Sequence, residues 1–440
     1  MLHAIKKFVP KSWLDAYHQT LSVLADSWYG HPSSELIVIG VTGTNGKTTT
    51  SYMIAKALEA GGIKTGCMST AIYKIADKEW LNNTKMTMLG RFALQKMLRQ
   101  MVDAGCKYAV VETSSQGIIQ HRHEHIRYDV CAFTNLTPEH IEAHGGFENY
   151  KKVKLDLFAF LKSLPEKKIA NQTVARAAVL NRDDKYADEF ASKGPSTIVW
   201  YGESDKADVK ITDVDETANG VSFKANTIQV NLKMMGKVNA YNATCALAVV
   251  QSLGLDVSAA AHELEKIKSL PGHFEKIEQG QPWTVMVDHA PEPESFRKLY
   301  EAVKVIPRNR VIHVMGSCGG GRDVARRPIL GKLAAQNADI VIVTNEDPYD
   351  DDPQQIIEQV AVGAREAGKI EGQNLFKVAD RKQAIRKAME LAEPHDLVLL
   401  TGKGCEQFIC LEAGRKMPWD EREEAKKAIK EVIAKQGQTA

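Results

Sequence analysis

Short apolar runs alternate with helical patterns along most of the chain. The runs that we predict to be strands lie at residues 36–41, 108–112, 130–134, 285–288, 311–315, 340–344 and 397–400. Strands that alternate with helices in this way are typical of βαβ units and a mainly parallel sheet. We therefore predict an α/β protein whose ligands bind at the carboxyl ends of its strands.

The alternation of strands and helices is interrupted at two places, which suggests how the chain is divided. Between residues 177 and 233, shorter alternating stretches predict an antiparallel addition at a sheet edge. The Leu-Pro-Gly turn at residues 270–272 is the best candidate for a domain boundary. We expect a short helical N-terminal extension over residues 1–34, a central domain with a mainly parallel sheet over 35–270, and a Rossmann-like doubly wound domain over 271–440.

The segment at residues 13–29 has a different pattern. Five apolar side chains recur there at helical spacing, namely Leu14, Tyr17, Leu21, Leu24 and Trp28. This spacing predicts an amphipathic helix. We expect its apolar side to pack against the next domain, with contact to a membrane surface as the alternative.

Composition narrows the class of protein. The chain has 440 residues, 44% of them apolar and 25% charged, and a net charge of +2, which gives no electrostatic reason to expect a nucleic-acid partner. Seven cysteines without paired spacing favour reduced thiols. The sequence shows neither a membrane span nor a signal peptide, so we expect a cytoplasmic monomer that acts on small molecules.

A glycine-rich turn follows the first predicted strand and precedes a helix. It consists of Gly43, Thr44, Asn45, Gly46, Lys47, Thr48 and Thr49. In such a turn backbone N–H groups converge on phosphate oxygens, while the lysine contacts the β- and γ-phosphates and the next hydroxyl binds Mg²⁺. The strict pattern has a glycine where this chain has Val41. We predict a variant ATP-binding loop in a P-loop ATPase domain; an ordinary strand–helix turn is the alternative.

The segment VTGTNGKTTT at residues 41–50 resembles the loop of the Mur ligase family and of folylpolyglutamate synthetases. The resemblance extends nearly to the C-terminus and is greatest to the branch that adds the third amino acid of the peptidoglycan stem peptide. It implies an ATP-dependent, ADP-forming ligase. Such an enzyme joins an amino acid to the carboxylate of a peptide precursor, such as UDP-N-acetylmuramoyl-dipeptide, through an acyl phosphate held by two Mg²⁺ ions.

Three further segments carry the resemblance: ETSSQG at residues 112–117 with QHR at 120–122, FTNLTPEH at 133–140, and YKKVKL at 150–155. They imply that the catalytic groups beside Lys47 are Glu112, His140 and Lys154, which hold Mg²⁺ with Thr48. A carboxylate at a strand end beside a triphosphate suits a hard divalent cation. The resemblance also implies a carbamylated Lys154, and since a free lysine has a pKa of about 10.4, this requires burial or a neighbouring cation.

The resemblance assigns the remaining site residues to three groups. The nucleotide contacts are Asn239, Asn242, Asp288 and Arg327. The contacts to the carboxylate-bearing substrate are Thr87, Ser115, Gln120 and Arg122. The contacts to the amino acid acceptor are Asp347, Tyr349, Gly402 and Glu406.

Two departures from the branch leave the substrates open. Tyr349 stands where ligases of the diaminopimelate type have an arginine, and the acids at residues 350–352 either favour an amine-bearing acceptor such as lysine or form an acidic helix N-terminus. The branch carries a UDP-binding domain before its loop, whereas the front end here resembles folylpolyglutamate synthetases. The alternatives are therefore a related ligase acting on a folate, pseudomurein-like or cyanophycin-like precursor, and a non-catalytic ATP-binding regulator.

Overall fold

Two large β-sheets organise the chain, whose computed structural model describes residues 11–137 and 144–439; the strand pairs β7-β8 and β20-β21 form two small additional sheets. The strands of the first unit are β1 (Ile37–Thr42), β2 (Thr65–Met68), β3 (Ile72–Ile75), β4 (Lys78–Leu81), β5 (Tyr108–Glu112), β6 (Tyr128–Phe133), β7 (Lys167–Ile169), β8 (Gln172–Val174), β9 (Ala177–Asn181), β10 (Ile198–Gly202), β11 (Val209–Thr217), β12 (Gly220–Ala225) and β13 (Ile228–Leu232). Its helices are α1 (Lys11–Trp28), α2 (Lys47–Ala57), α3 (Arg91–Asp103), α4 (Ser115–Ile119), α5 (Phe147–Ser163), α6 (Ala187–Lys193), α7 (Lys237–Ser252) and α8 (Val257–Glu265).

The second unit follows after α8. Its strands are β14 (Glu275–Lys276), β15 (Thr284–Asp288), β16 (Val311–Met315), β17 (Ile340–Thr344), β18 (Leu375–Val378), β19 (Leu397–Thr401), β20 (Phe408–Cys410) and β21 (Lys416–Pro418). Its helices are α9 (Pro293–Val303), α10 (Arg326–Asn337), α11 (Pro353–Glu366), α12 (Arg381–Leu391) and α13 (Glu421–Thr439). The first sheet and its helices end with α8 at Glu265, and β14 of the second sheet begins at Glu275; the domain boundary at residues 270–271 stays a prediction.

The first sheet is eleven-stranded, in the order β13-β12-β11-β10-β9-β6-β1-β5-β2-β3-β4. Strand β1 lies between β5 and β6, parallel to both, and α2 and α7 pack on one face of the sheet while α3 and α5 pack on the other. The second sheet has the order β14-β15-β19-β16-β17-β18 and is parallel except for β14. The predicted α/β fold with two mainly parallel sheets is confirmed.

The prediction of an antiparallel addition over residues 177–233 is only partly correct. Strands β9, β10 and β11 continue the parallel part of the sheet, and only β12 and β13 are antiparallel. The difference is visible in burial, because all five residues of β9 are buried whereas β12 has partly exposed positions. A strand covered on both faces reads as a continuous apolar run, as parallel strands do.

Helix α1 is confirmed, but its predicted apolar side packs against the protein only in part. Leu14 and Leu21 are half-buried, whereas Tyr17, Leu24 and Trp28 are 58%, 53% and 78% exposed, and smaller residues such as Ser22 and Ala25 are buried. Small side chains allow closer approach of α1 to the protein than the large aromatic ones would. In the part of the chain that the structure describes, no helix has both the length and the apolar character needed to cross a membrane.

Candidate active site

The carboxyl ends of the central strands of both sheets face a single cleft. The cleft has a cavity volume of about 320 Å³ and is lined by residues of both units. From the first unit come the turn after β1 and Glu112 at the end of β5; from the second come Asp288 at the end of β15 and Asp347 after β17. Ligands of open α/β sheets bind at this edge, so the cleft is the candidate active site.

The glycine-rich turn has the shape of a phosphate-binding loop. Gly46 has φ +80°, and a Cβ atom there would lie 2.5 Å from Oδ1 of Asn242. Gly43 has φ +147°, and its Cβ would collide with the hydroxyl of Thr134. Only glycine combines a positive φ with the absence of a Cβ atom. The backbone N–H groups at the N-terminus of α2 therefore stay accessible, and together with the helix dipole they favour an anion.

Lys47, the first residue of α2, lines the cleft and bends back over the turn, where its Nζ donates to the carbonyl of Thr44 at 2.6 Å. Thr48 and Thr49 line the same wall. The seven residues predicted to form the loop therefore lie together, and all but Gly43 line the cleft. Gly43 contributes by its backbone, which turns at the base of the loop.

Glu112 lies fully buried at the carboxyl end of β5. Its Oε1 accepts hydrogen bonds from the hydroxyls of Thr48 and Thr70, both at 3.1 Å, and its Oε2 accepts one from the backbone N–H of Thr70 at 2.7 Å. Burial raises the pKa of this carboxyl, although the positive charge of Lys47 opposes the rise. A hydroxyl and a carboxylate held side by side near the loop are oxygen ligands of the kind that Mg²⁺ takes.

Lys154 lies on α5 behind the loop and is buried. Its Nζ donates to the carbonyl of Gly43 at 2.6 Å and lies 4.7 Å from the ring centroid of Tyr150. The hydroxyl of Tyr150 is in turn 3.2 Å from that of Thr44. Lys154 is thus packed against the base of the loop. His140, predicted to be a second metal ligand, lies outside the residues that the structure describes.

Asn239 and Asn242 lie one turn apart on α7 and both line the cleft. Nδ2 of Asn242 donates to Oδ1 of Asn239 at 3.0 Å, and the hydroxyl of Thr50 donates to Oδ1 of Asn242 at 3.1 Å. Asn242 also lines an adjoining cavity of about 600 Å³ together with Val238. The two amides therefore stand where the cleft continues past the phosphate-binding loop.

Asp288 ends β15 and is buried. Its two oxygens accept hydrogen bonds from the backbone N–H groups of Phe274 and Ala290, each at 2.9 Å. Burial raises its pKa to about 6, although the two backbone bonds and the neighbouring His289 oppose the rise. The carboxyl is positioned firmly at the wall of the cleft.

Arg327, predicted to approach the nucleotide, does not line the cleft. It turns towards α11, where its Nη1 donates to Oε1 of Gln359 at 2.6 Å and its Nη2 donates to the carbonyl of Cys318 at 3.1 Å. Its neighbour Arg326 lines the cleft instead and forms an ion pair with Glu292. Adjacent helical residues point about 100° apart, so only one of the two can face the site.

The predicted acceptor residues Asp347 and Glu406 meet at the far end of the cleft. Lys403 is fully buried, and its Nζ lies 3.0 Å from Oδ1 of Asp347 and 2.6 Å from Oε2 of Glu406. Lys85 of the first unit reaches the same two carboxylates. Burial would raise the pKa of Asp347, but the charges of Lys403 and Lys85 outweigh it and hold that pKa below its usual value.

Two other predicted acceptor residues flank this cluster. Tyr349 lines the cleft and has a left-handed backbone with φ +52°. Gly402 has φ +102°, and a Cβ there would collide with the carboxylate of Glu346. The glycine therefore allows the loop after β19 to approach the loop after β17 closely.

The acids that follow Tyr349 serve local structure. Asp352 caps α11 by accepting from the backbone N–H of Gln354 at 2.9 Å, and Asp350 accepts from the N–H of Ala413 at 2.8 Å. These contacts support the interpretation as an acidic helix N-terminus, in which a carboxylate satisfies free backbone donors.

The residues predicted to contact the carboxylate-bearing substrate are only partly brought to the cleft. Thr87 lines it, whereas Ser115, Gln120 and Arg122 do not. Nη2 of Arg122 donates to Oε1 of Gln120 at 2.5 Å, and its Nη1 donates to the carbonyl of Met88. Arg122 therefore holds the loop that carries Thr87.

Sequence reasoning missed several residues of the cleft region, among them Thr70, Lys85, Arg326 and Lys403. Lys85 is two residues from the predicted substrate contact Thr87, and Lys403 is three residues from the predicted acceptor contact Glu406, so this proximity in the sequence was an available signal. Thr70 follows β2, a short strand (TGCM) without a clear apolar run, and nothing in its sequence indicates the contact with Glu112.

Two models of known protein-domain families match this chain. Residues 41–250 match the family model described as Mur ligase middle domain. Residues 272–404 match the model described as Mur ligase, glutamate ligase domain. The two matched regions correspond to the two sheets that face the cleft.

Individual relatives extend over nearly the whole chain. A UDP-N-acetylmuramyl-tripeptide synthetase of Roseiflexus sp. (strain RS-1) is 38% identical over 420 residues, which cover 94% of this chain and 82% of that protein. A UDP-N-acetylmuramoyl-L-alanyl-D-glutamate–2,6-diaminopimelate ligase of Geobacillus kaustophilus (strain HTA426) is 34% identical over 430 residues, covering 96% and 85%. A solved structure with that same ligase name has a TM-score of 0.59 at 28% identity and covers 90% of this chain and 79% of its own.

Proposed function

Since this chain belongs to the Mur ligase family and is therefore an ATP-dependent, ADP-forming amide ligase, we propose that it adds the third amino acid of the peptidoglycan stem peptide. The donor would be UDP-N-acetylmuramoyl-L-alanyl-D-glutamate, and the product a tripeptide. The observation that carries this proposal is the cleft itself, in which the phosphate-binding loop and Glu112 of one unit face Asp347 and Glu406 of the other. Phosphate chemistry and amine binding thus meet in one place.

ATP and Mg²⁺ are the cofactors of the family, and the residues present fit both. The open backbone at Gly46 and the N-terminus of α2 suit a triphosphate, and the buried oxygens of Glu112 and Thr48 suit a hard cation. When bound, Mg²⁺ supplies positive charge that offsets the negative charge of the transferring phosphoryl group. Asn239 and Asn242 would contact the adenine, with the adjoining cavity as space for the base.

We further propose that Lys154 is carbamylated and that, with His140, it helps to hold a second Mg²⁺. Lys154 is 1% exposed, and its Nζ already lies 2.6 Å from the carbonyl of Gly43 at the base of the loop. Burial favours the neutral amine that reacts with CO₂, since a charged ammonium is costly in a poorly solvated site. The resulting carbamate would place a negative charge beside the loop.

The side chains perform positioning and charge stabilisation in the proposed reaction. The donor carboxylate attacks the γ-phosphorus of ATP, the bond to the bridging oxygen breaks, and ADP leaves with Lys47 beside its phosphates. The amine of the acceptor, held by Asp347 and Glu406, then attacks the acyl phosphate, loses a proton and expels inorganic phosphate. Holding both reactants in one closed cleft lowers the entropic part of the barrier.

Closure of the two units over ATP would assemble this site. The hydroxyl of Ser295 on α9 donates to Oδ1 of Asn45 in the phosphate-binding loop at 3.1 Å, so the second unit touches the loop directly. Closure that completes a catalytic site is a common way for two-domain enzymes to exclude water. We propose that the protein works in this way as a cytoplasmic monomer.

The acceptor that we propose is an amino acid such as lysine, which has no second carboxylate. Tyr349 stands where the resemblance places the carboxylate-binding arginine of diaminopimelate ligases. Two cations beside the proposed acceptor contacts, Lys403 and Lys85, are paired with Asp347 and Glu406 in this structure. A second carboxylate on the acceptor would therefore have no dedicated partner among these residues.

A phosphate-release assay tests this proposal. The purified protein, ATP and Mg²⁺ are combined with the UDP-linked donor and, in parallel, with L-lysine, L-ornithine or diaminopimelate. We expect phosphate release that requires both the donor and an amino acid, and is fastest with a diamine that lacks the second carboxylate. Release with a folate donor but not with the UDP-linked donor would instead assign the chain to the folylpolyglutamate type.

A further inference from the structure

Lys85 of the first unit crosses the cleft and inserts its ammonium group between two carboxylates of the second unit. Its Nζ lies 2.5 Å from Oδ2 of Asp347, 2.9 Å from Oε2 of Glu406 and 3.3 Å from the carbonyl oxygen of Phe408. The side chain is only 8% exposed. An ammonium group has three donors, and here three oxygens surround it.

This set of oxygens matches what the amine of an amino acid acceptor would require. Two carboxylates and one carbonyl provide charge and directed acceptors for a primary ammonium, whether it belongs to Lys85 or to a free amino acid. Asp347 and Glu406 are the residues that we propose to hold the acceptor amine. Lys85 therefore occupies the position that the acceptor's ammonium group needs.

Lys403, the second lysine of the cluster, differs from Lys85 because it belongs to the same unit as the two carboxylates. Lys403 belongs to the same loop as Glu406, is 0% exposed, and bonds to Asp347, Glu406 and the carbonyl of Phe408. It neutralises part of the acidic pair from within its own unit. Lys85 adds a second positive charge from the opposite unit, so Lys85 is the cation that can leave without unfolding the second unit.

The loop that carries Lys85 is built to present it. Asn82 bridges the loop, since its Nδ2 donates to the carbonyls of Ser69 and Met86, both at 2.9 Å, and its Oδ1 accepts from the N–H of Thr84 at 2.8 Å. Lys85 itself has φ +59°, a left-handed conformation that few non-glycine residues adopt. Its ion pairs therefore hold a backbone geometry that is otherwise unfavourable.

We propose that Lys85 fills the ammonium subsite until the acceptor amino acid displaces it, so that this residue sets the affinity for the acceptor. The inference rests on the proposed function. Displacement adds a cost to acceptor binding, because the free energy of the internal ion pairs is lost when the acceptor's pairs form. An acceptor with one well-placed ammonium group can offset that loss by forming the same ion pairs, whereas a molecule without an ammonium group cannot.

Isothermal titration of L-lysine into the full-length protein, with ADP and Mg²⁺ present, tests the proposal. The variant Lys85→Met removes the ammonium group that occupies the subsite. It should therefore lower the dissociation constant for L-lysine about tenfold, because the subsite is then vacant in every molecule and L-lysine has no side chain to displace. Lys85→Gln is the second variant if Lys85→Met melts early. The control is Lys78→Met, which removes an exposed lysine from the neighbouring strand β4 and should leave the constant unchanged.

A higher dissociation constant in Lys85→Met would overturn the proposal, because Lys85 would then be a ligand of the acceptor's carboxylate and not a competitor of its amine. An unchanged constant, or no binding by either protein, would also overturn it. The titration measures binding without turnover. Failure of the proposed function would appear separately, as an absence of donor-dependent phosphate release by the unaltered protein.

Discussion

At the scale of single residues, the phosphate-binding loop depends on glycines whose roles differ in detail. Gly43 allows the loop to pass the hydroxyl of Thr134, and Gly46 lets α2 begin directly against Asn242. Asn242 is also a proposed adenine contact, so the same side chain limits the loop and would touch the nucleotide. A change at Gly46 is therefore expected to act on ATP binding through a neighbour as well as through the backbone.

We expect Gly46→Ala to raise the KM for ATP at least about tenfold, because a left-handed alanine costs about 1–2 kcal/mol and its Cβ would push Asn242 away. Gly61→Ala is a matched control: Gly61 has φ +75°, but no atom lies within 4 Å of its added Cβ. The control should lose stability without a change in KM. Equal KM values for the two variants would contradict the role given to Asn242.

Some site residues could be predicted from the sequence and others could not. The loop and Glu112 were accessible because each follows a recognisable strand and belongs to a continuous motif. Arg327 was chosen over Arg326 because a motif does not report which side of a helix faces the cleft. Lys85 lies two residues before the predicted substrate contact Thr87, but its ion pairs join residues more than 260 positions apart, and no local pattern indicates such a contact.

At the scale of elements, one buried ion pair holds the acceptor end of the cleft together. Arg381 begins α12 and Glu421 begins α13; their side chains are 1% and 0% exposed, and Nη2 lies 2.6 Å from Oε1. Arg381 also donates to the carbonyls of Asn345 and Thr401, just after β17 and at the end of β19. This pair therefore fixes the two strand ends whose loops carry Asp347 and Lys403.

Glu421→Ala should lower the free energy of unfolding by about 3–5 kcal/mol, because it leaves the guanidinium of Arg381 buried without its partner. Chemical denaturation monitored by circular dichroism measures the change. Glu431→Ala serves as the control, since Glu431 lies on α13 in an exposed pair with Arg386 at 3.5 Å and should cost less than about 1 kcal/mol. Similar losses in both variants would argue against a special role for the buried pair.

The strands could be predicted where nearly all of their residues are buried, because such strands have continuous apolar sequences. All seven strands predicted from apolar runs are present, with ends shifted by at most two residues. Strands β3 and β4 escaped prediction because each is only four residues long, and β4 (KEWL), which forms the edge of the sheet, is largely exposed. The direction of β9, β10 and β11 was mistaken because it depends on distant pairing partners such as β6, and not on local alternation.

At the scale of the whole molecule, the two units divide the proposed chemistry between them. The first unit supplies the phosphate-binding loop, Glu112 and Lys154, and the second supplies Asp288 and the acidic acceptor pair. Among the described residues, the proposed phosphate contacts follow strands of the first sheet and the proposed amine contacts follow strands of the second. The central claim is therefore that a carboxylate is activated by ATP at the first unit and captured by an amine at the second.

Transfer of ¹⁸O tests this claim most directly. The donor is UDP-N-acetylmuramoyl-L-alanyl-D-glutamate with both oxygens of its reacting carboxylate labelled, and the inorganic phosphate formed with L-lysine and ATP is analysed by mass spectrometry. If an acyl phosphate forms, each amide bond made leaves one labelled oxygen in the phosphate, and Lys47→Ala should reduce this transfer by at least about 100-fold. Unlabelled phosphate, with its fourth oxygen taken from water, would contradict the account.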